Sequence, residues 1–236
     1  MKQTTKKNKK RFKSYTLWTF FYDFIRFTGV IPTWIYLRPK IIRIGKKQKK
    51  VKGAIMMANH IGLLDPVVLQ FVFAPRRMWT LAMSELFDKP LKRFFFKSAL
   101  CIPVDRENVT IDMYHSVSDV LKANKILAMF PEGRINFDEI AEVKKFKGGV
   151  ALFAILNRVP VIPVYIVKRE KWYQRQRIVV GEPIYIDEAL GRAPTPADIE
   201  KVSELLHEKE EELALQYDSK YSKSQKEKEN AESIKS

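Results

Sequence analysis

From residue 53 to about 217, short apolar runs alternate with helix-like patterns, and this alternation restricts the chain to an α/β fold. Strand candidates lie at 53–58, 78–83, 100–105, 125–130, 160–166 and 177–180, and helical patterns near 66–74, 89–98, 109–123, 146–157 and 197–217. The expected architecture is a central, mostly parallel sheet flanked by helices. A chain of 236 residues with 46% hydrophobic content is expected to form one domain with a full core. The run Val159-Pro160-Val161-Ile162-Pro163-Val164 holds two prolines, which argues against a regular central strand and for one at a cleft or sheet edge. Beyond Tyr217 the chain is mainly Lys, Ser, Glu and Gln, so 217–236 reads as a frayed helix end or a disordered tail.

Four segments carry possible chemistry. Asn59-His60-Ile61-Gly62-Leu63-Leu64-Asp65 follows the apolar run Ala54–Ala58, so a histidine and a carboxylate sit where a strand stops. Strand ends are where α/β folds place reacting groups. A neutral imidazole held by a carboxylate can take a proton from a hydroxyl, and Gly62 is read as the residue that lets the chain turn. Taken alone, the same residues also suit a plain helix start, with Asp65 as N-cap and Pro66 at the first position. Next, Ile102-Pro103-Val104-Asp105-Arg106 ends a short strand in a guanidinium, the side chain best suited to bidentate phosphate binding. Then Phe130-Pro131-Glu132-Gly133-Arg134 follows a strand; Pro131 ends it, Gly133 permits a tight backbone path, and Glu132 and Arg134 are expected to project from the loop. Last, Phe146-Lys147-Gly148-Gly149 opens a helix ahead of the two-proline strand and resembles an anion-accepting turn.

Charge is concentrated at one end. Residues 1–52 hold sixteen Lys and Arg against Asp23 alone, almost all of the net +16. Between two basic blocks lies the aromatic stretch 15–37, with Trp18, Phe20, Phe21, Phe24, Phe27 and Trp34. Aromatic anchors between cations suit an anionic membrane surface better than a nucleic acid. Asp23 and Arg26 fall inside the stretch, Gly29 and Pro32 interrupt it, and both flanks are basic, so a single crossing is disfavoured. The reading is of two short helices that enter one leaflet and return, within a docking segment 1–50 on the cytoplasmic face of the cell membrane. No small-residue cleavage site follows the apolar run, so a removed signal peptide is disfavoured. The one cysteine, Cys101, has no partner in the chain and suits a reducing compartment. With three histidines and that cysteine, no metal site is expected.

The four segments, in this order and spacing, resemble the glycerolipid acyltransferase family, which includes the lysophosphatidic acid acyltransferases. The family pattern is Asn-His-x4-Asp, a strand ending in Arg, Phe-Pro-Glu-Gly-Thr-Arg, and a proline-containing apolar strand. The similarity covers roughly residues 15–190. The Thr between Gly and Arg is missing here, so Arg134 directly follows Gly133 and the direction of its guanidinium is left open.

The resemblance implies that 51–216 is an acyltransferase catalytic domain and that the N-terminal segment is a two-helix membrane-docking element. It implies transfer of a fatty acyl group from acyl-CoA or acyl-carrier protein to lysophosphatidic acid, without a cofactor. His60 would be the base and Asp65 its orienting partner. Asn59, Arg106, Glu132, Gly133, Arg134 and Lys147 would contact substrate, with Arg106 and Lys147 on the acceptor phosphate. Other readings are acylation of another lysophospholipid or of glycerol 3-phosphate, a non-catalytic membrane lipid-binding protein, and a thioester hydrolase.

Overall fold

The computed structural model describes residues 19–45, 51–105, 110–133, 135, 148–169, 173–186 and 194–233. Its centre is a seven-stranded sheet: β1 (Lys40–Arg43), β2 (Ala54–Ala58), β3 (Met78–Met83), β4 (Cys101–Val104), β5 (Ile126–Met129), β6 (Val161–Ile166) and β7 (Arg177–Val180). The spatial order is β1-β7-β6-β2-β5-β3-β4, and every pair is parallel except β6 with β7. The α/β reading with a mostly parallel sheet is borne out.

Helices α3 (Asp65–Leu69), α4 (Pro90–Ser98), α5 (Ile111–Lys122), α6 (Gly149–Asn157) and α7 (Pro196–Ser233) cover the sheet. All five residues of β2 are fully buried, because both faces of that strand are covered. Ile55 and Met57 point into one core with Val117, Leu121 and Phe153, while Met56 and Ala58 point into the other with Val68 and Leu69. This is the two-residue period of a strand read out on two cores.

One expectation is corrected. The two-proline strand, β6, is interior, between β2 and β7. Pro160 lies just outside it and offers its carbonyl to the Ile55 N–H at 3.0 Å. The Pro163 carbonyl accepts from Gly181 N–H at 2.9 Å, so the side lacking a donor faces the point where β7 has already ended at Val180. A proline there removes little from the ladder. Helix α7 continues to Ser233, into the stretch read as a frayed helix end or a disordered tail. Tyr217 is its last buried side chain among the described residues, and its hydroxyl accepts from Arg177 Nη1 at 3.2 Å.

Residues 40–43, grouped by sequence with the basic N-terminal segment, form the edge strand β1 and pair with β7. Ahead of it, α1 (Thr19–Ile25) and α2 (Ile31–Leu37) are joined by a π-helical turn, Arg26–Val30, and not by a loop. Pro32 has no N–H for the Thr28 carbonyl and would crowd it in a regular helix, and the wider turn just before it relieves that clash. No helix among the described residues is long and apolar enough to cross a membrane.

The two charges inside the aromatic stretch face the domain. Asp23 takes both Arg77 Nε at 3.1 Å and Nη2 at 2.6 Å, and Arg26 Nη1 donates to the Pro75 carbonyl at 2.6 Å. Arg77 holds the Asp23 carboxyl below its ordinary range. Between them Tyr22 is buried, bonding to Gln70 and receiving the Met78 N–H. The helix is thereby pinned on its polar side, which turns Phe24, Phe27, Trp34 and Ile35 outward.

Cys101 gives a test of the packing at β4. Cys101 is half-buried, and desolvation pushes its thiol up to about 12. At pH 8 the thiolate population should be lower than that of an ordinary thiol by roughly a thousandfold. The native protein should therefore react with a disulfide reagent at least about a hundredfold more slowly than the urea-unfolded chain. Equal rates would show that β4 does not enclose the sulfur.

Candidate functional site

β2 and β5 are neighbours, with Met57 opposite Met129, so the two loops that leave their C-terminal ends emerge side by side. Their onward connections diverge: β2 leads to β3 beyond β5, whereas β5 leads to β6 beyond β2. Such a divergence opens a crevice at the strand ends, the usual ligand position in open α/β sheets. His60 and Glu132 each lie three positions past a paired methionine, and the His60 backbone N–H donates to Glu132 Oε1 at 3.3 Å.

Asp65 organises the first loop. Its Oδ2 accepts from Ile61 N–H at 2.7 Å and Gly62 N–H at 2.8 Å, and it lies 2.9 Å from His60 Nδ1. Asp65 is almost fully buried, while the His60 side chain keeps a relative exposure of 13%. An ionised carboxylate only accepts hydrogen bonds, so Nδ1 carries the imidazole proton and Nε2 presents a lone pair. The Phe130 ring stacks on the imidazole with centroids 4.1 Å apart and planes 19° apart. The ring is thus held in direction by a carboxylate and in plane by an aromatic face. This arrangement can remove a proton from a hydroxyl placed at Nε2.

Several sequence expectations are refined here. Asp65 is not the N-cap of α3; Leu64 is, and the carboxylate turns back into its own loop. Three donors converging on one oxygen leave it nothing for helix capping. Gly62 has no positive φ, and a Cβ there would meet only Asp65 Oδ1 at 3.7 Å, so the turn does not require glycine. Gly133 does: its φ is +70°, and its N–H closes a turn onto the Phe130 carbonyl at 3.1 Å. Glu132 does not project from that turn; it is buried and directed at the His60 amide.

Asn59 is occupied by the scaffold. Its Nδ2 donates to the Ile166 carbonyl at 3.0 Å and its Oδ1 accepts the Ile166 N–H at 2.7 Å. The side chain extends the β2–β6 pairing by one step and sets where His60 begins. Arg106, Arg134 and Lys147 lie outside the described residues. The site therefore brings together Asn59, His60, Asp65, Glu132 and Gly133.

Residues not singled out by sequence also reach this region. Lys168 and Arg169, just past β6, line a cavity of about 310 Å³ with Ile61–Asp65 and Gln176, and the Arg169 guanidinium lies 5.2 Å from the Tyr36 ring centre. The strand-end logic that picked out His60 applies equally to them. Glu210 of α7 is buried beside Asn59 and Glu132, and nothing in the surrounding helical pattern marks it. A larger groove of about 870 Å³ runs between α1 and α4, lined by Phe21, Phe24, Leu91, Phe94 and Phe95 among others, and His60 is not part of it.

With this geometry in place, comparison with known proteins is specific. The model of the Acyltransferase family matches residues 40–167, from the first residue of β1 to just past β6. The 1-acyl-sn-glycerol-3-phosphate acyltransferase of Streptococcus pneumoniae is 28% identical over 146 residues, which are 61% of this chain and 53% of that protein. The Bacillus subtilis protein of the same name is 22% identical over 171 residues, 70% of this chain and 83% of that one. The Haemophilus influenzae one is 28% identical over 158 residues, 61% of this chain and 64% of its own length. The chain thus spans about half the length of the Streptococcus relative. Among solved structures, the 1-acyl-sn-glycerophosphate acyltransferase of Thermotoga maritima shares the fold, with a TM-score of 0.55 at 19% identity, over 86% of this chain and 98% of that one.

The scaffold role of Asn59 is testable. Asn59→Ala leaves the Ile166 N–H and C=O without their partners and should cost about 2–4 kcal/mol of stability in urea unfolding. Asn59→Asp keeps the acceptor and loses the donor, and should fall between wild type and alanine. Wild-type stability in Asn59→Ala would mean that the side chain is free for another role.

Proposed function

The chain belongs to the acyltransferase family, and we propose that it moves a fatty acyl group from a thioester donor to the free hydroxyl of lysophosphatidic acid, making phosphatidic acid. The observation that carries this reading is the His60–Asp65 pair, with its base nitrogen left free at the end of β2. The named activity of three relatives supports the choice of acceptor.

A thioester is already activated, so the difficult partner is the alcohol, which is a poor nucleophile at neutral pH. His60 Nε2 takes the hydroxyl proton as the oxygen attacks the thioester carbonyl, and Asp65 stabilises the resulting imidazolium. The tetrahedral intermediate collapses, the C–S bond breaks, and the imidazolium returns its proton to the departing thiolate. The products are an ester and a free thiol, with nothing left over. Acyl-CoA and acyl-carrier protein both satisfy this chemistry. Arg106, Arg134 and Lys147 are proposed to hold the acceptor phosphate, the group that distinguishes lysophosphatidic acid from a neutral glyceride.

Both substrates carry long apolar chains, so the reaction belongs at a lipid surface. Phe27 and Trp34 are 71% and 56% exposed, and Leu91 on α4 is 81% exposed. Leu91 lines the apolar groove between α1 and α4, and it is proposed to enter the cytoplasmic leaflet together with Phe27 and Trp34, assisted by the cations of residues 1–52.

Purified full chain, given lysophosphatidic acid and acyl-CoA or acyl-carrier protein on mixed vesicles, should form phosphatidic acid. His60→Ala and Asp65→Asn should each lower kcat by about 10²–10⁴-fold. Release of free fatty acid in place of phosphatidic acid would mark a hydrolase, and wild-type turnover in either variant would remove the catalytic assignment.

Docking is tested separately. Phe27→Ser, Trp34→Ser and Leu91→Ser combined should weaken vesicle binding at least about tenfold, since each large apolar side chain contributes about 1.5–3 kcal/mol when buried. The melting temperature should barely change, because these side chains are exposed in the free protein. Undiminished flotation with vesicles would place the lipid-facing surface elsewhere.

A further inference from the structure

The cavity of about 310 Å³ beside the Asp65 loop has no part in the acyl-transfer steps described above. Part of its wall is apolar, from Leu37, Ile61, Leu63, Leu64 and Val68, and part is cationic, from Lys168 and Arg169. Lys168 is exposed and makes no hydrogen bond or ion pair among the described residues. The Arg169 guanidinium is set in place by the Gln174 carbonyl at 3.5 Å and by the Tyr36 ring.

More positive charge stands next to this wall. Arg38 follows the lining residue Leu37, and Arg175 precedes the lining residue Gln176. Arg38 Nη2 donates to the Tyr173 carbonyl at 2.5 Å, and Arg175 Nε donates to the Arg38 carbonyl at 3.0 Å. Neither meets a carboxylate among the described residues, and a carbonyl fixes a guanidinium without cancelling its charge. The acid that lines the cavity is Asp65, whose Oδ2 is already taken by the Ile61 and Gly62 amides and His60 Nδ1. A cleft with such an excess of one sign draws in an anion.

The position of the cavity selects among the anions of the reaction. β6 runs parallel to β2, and His60 and Lys168 each lie two residues past the end of their strand, so both leave the sheet at the same end. Arg106 and Arg134, proposed for the acceptor phosphate, follow β4 and β5, strands on the other side of β2. In lysophosphatidic acid only two carbons separate the oxygen that reacts from the oxygen that carries phosphorus, so its phosphate must stay close to His60 Nε2. In acyl-CoA and acyl-carrier protein alike, the phosphate stands a whole pantetheine arm away from the sulfur. The cavity is lined by the loop from Ile61 onward and not by His60, which suits the distant phosphate. The arm alternates amides with methylene and methyl groups, in keeping with a wall that is partly apolar.

We propose that this cavity binds the phosphate at the end of the pantetheine arm of the acyl donor, with Lys168 and Arg169 as its cationic contacts, so that the thioester reaches His60 from the β6 side. The two anionic substrates then meet at His60 from opposite sides of β2, and neither phosphate competes for the other's cations. This assignment rests on the acyltransferase reading, whereas the binding of CoA itself does not require any turnover.

The test uses the full chain with lysophosphatidic acid in zwitterionic phosphatidylcholine vesicles. Three thioesters of one acyl chain serve as donors: acyl-CoA, acyl-phosphopantetheine, and acyl-pantetheine, which lacks the phosphate. Wild type should favour acyl-phosphopantetheine over acyl-pantetheine in kcat/KM by about tenfold or more. Lys168→Ala should shrink that ratio about threefold or more, since an exposed cation contributes modestly, and Lys168→Glu should abolish it. In both variants KM for lysophosphatidic acid should change little. Lys168 is exposed, so both variants should keep the wild-type melting temperature; Arg169→Ala would also remove the Tyr36 contact and is the weaker probe. Independently of turnover, calorimetry should show CoA binding weakened about tenfold in Lys168→Glu, and weakened in wild type by added salt. A wild type indifferent to the phosphate overturns the proposal, as does a rise in KM for lysophosphatidic acid with the donor preference intact. Loss of binding to anionic vesicles in Lys168→Glu, with CoA binding and both KM values unaltered, also overturns it and marks a lipid headgroup site. Weakened CoA binding in Lys168→Glu, from a chain whose wild type makes no phosphatidic acid, supports the cavity and overturns the acyltransferase reading instead.

Discussion

One carboxylate oxygen, Asp65 Oδ2, gathers the Ile61 and Gly62 amides and His60 Nδ1 within 2.9 Å. That convergence does two jobs. It closes the loop after β2 into one shape, and it sets the imidazole tautomer that leaves Nε2 free. An acceptor with fewer donors would orient the ring without fixing the backbone beneath it. The buried position matters as much, because a carboxylate shielded from water exchanges its partners at a greater cost. Everything around it serves to keep this knot in register: Asn59 clamps the strand end to β6, Phe130 covers the imidazole face, and Glu132 holds the histidine by its own amide.

The elements that were plain in the sequence are those whose two sides agree with their surroundings. β2, β3, β5 and β7 are short apolar runs bounded by polar or turn residues, and they appear within a residue or two of the expected bounds. β1 was invisible because Lys40-Ile41-Ile42-Arg43 has only two apolar residues inside a cationic stretch, and its pairing with β7 is long-range. The position of β6 was misjudged for a related reason. Proline forbids a donor on one side only, and which side that is depends on where the partner strand ends. Similarly, Asp65-Pro66 has the local signature of a helix cap, and only the folded loop shows that the carboxylate is already spent.

The candidate site was legible as residues and not as directions. His60, Asp65 and Glu132 come together as the motif order implies, yet Glu132 points inward where an outward loop was expected, and Asn59 serves the strands. Glu210 could not be found by reading, because an acidic residue in a helix rich in Glu and Lys has no local mark; only the packing of α7 against the strand ends makes it unusual. The charges Asp23 and Arg26 show the opposite case. In the sequence they weaken an apolar stretch, whereas in the fold they are what orients it, by taking Arg77 and the Pro75 carbonyl and leaving the aromatic side chains for the outside.

The joint between α2 and β1 has only Arg38 and Pro39 in it. The Arg38 N–H bonds back to the Trp34 carbonyl, and Gln176 straddles the joint, giving its N–H to Leu37 and accepting from Lys40, each at 2.8 Å. A protein tethered to a surface by a slack linker samples many orientations, and its reactions are governed by an effective concentration. No slack exists here. Whatever surface receives the aromatic helix also receives the sheet at a set inclination, so arrival and alignment are a single event. Lengthening this joint would give the chain a leash in place of a keel, and encounters would then have to search for the pose that the splice now imposes.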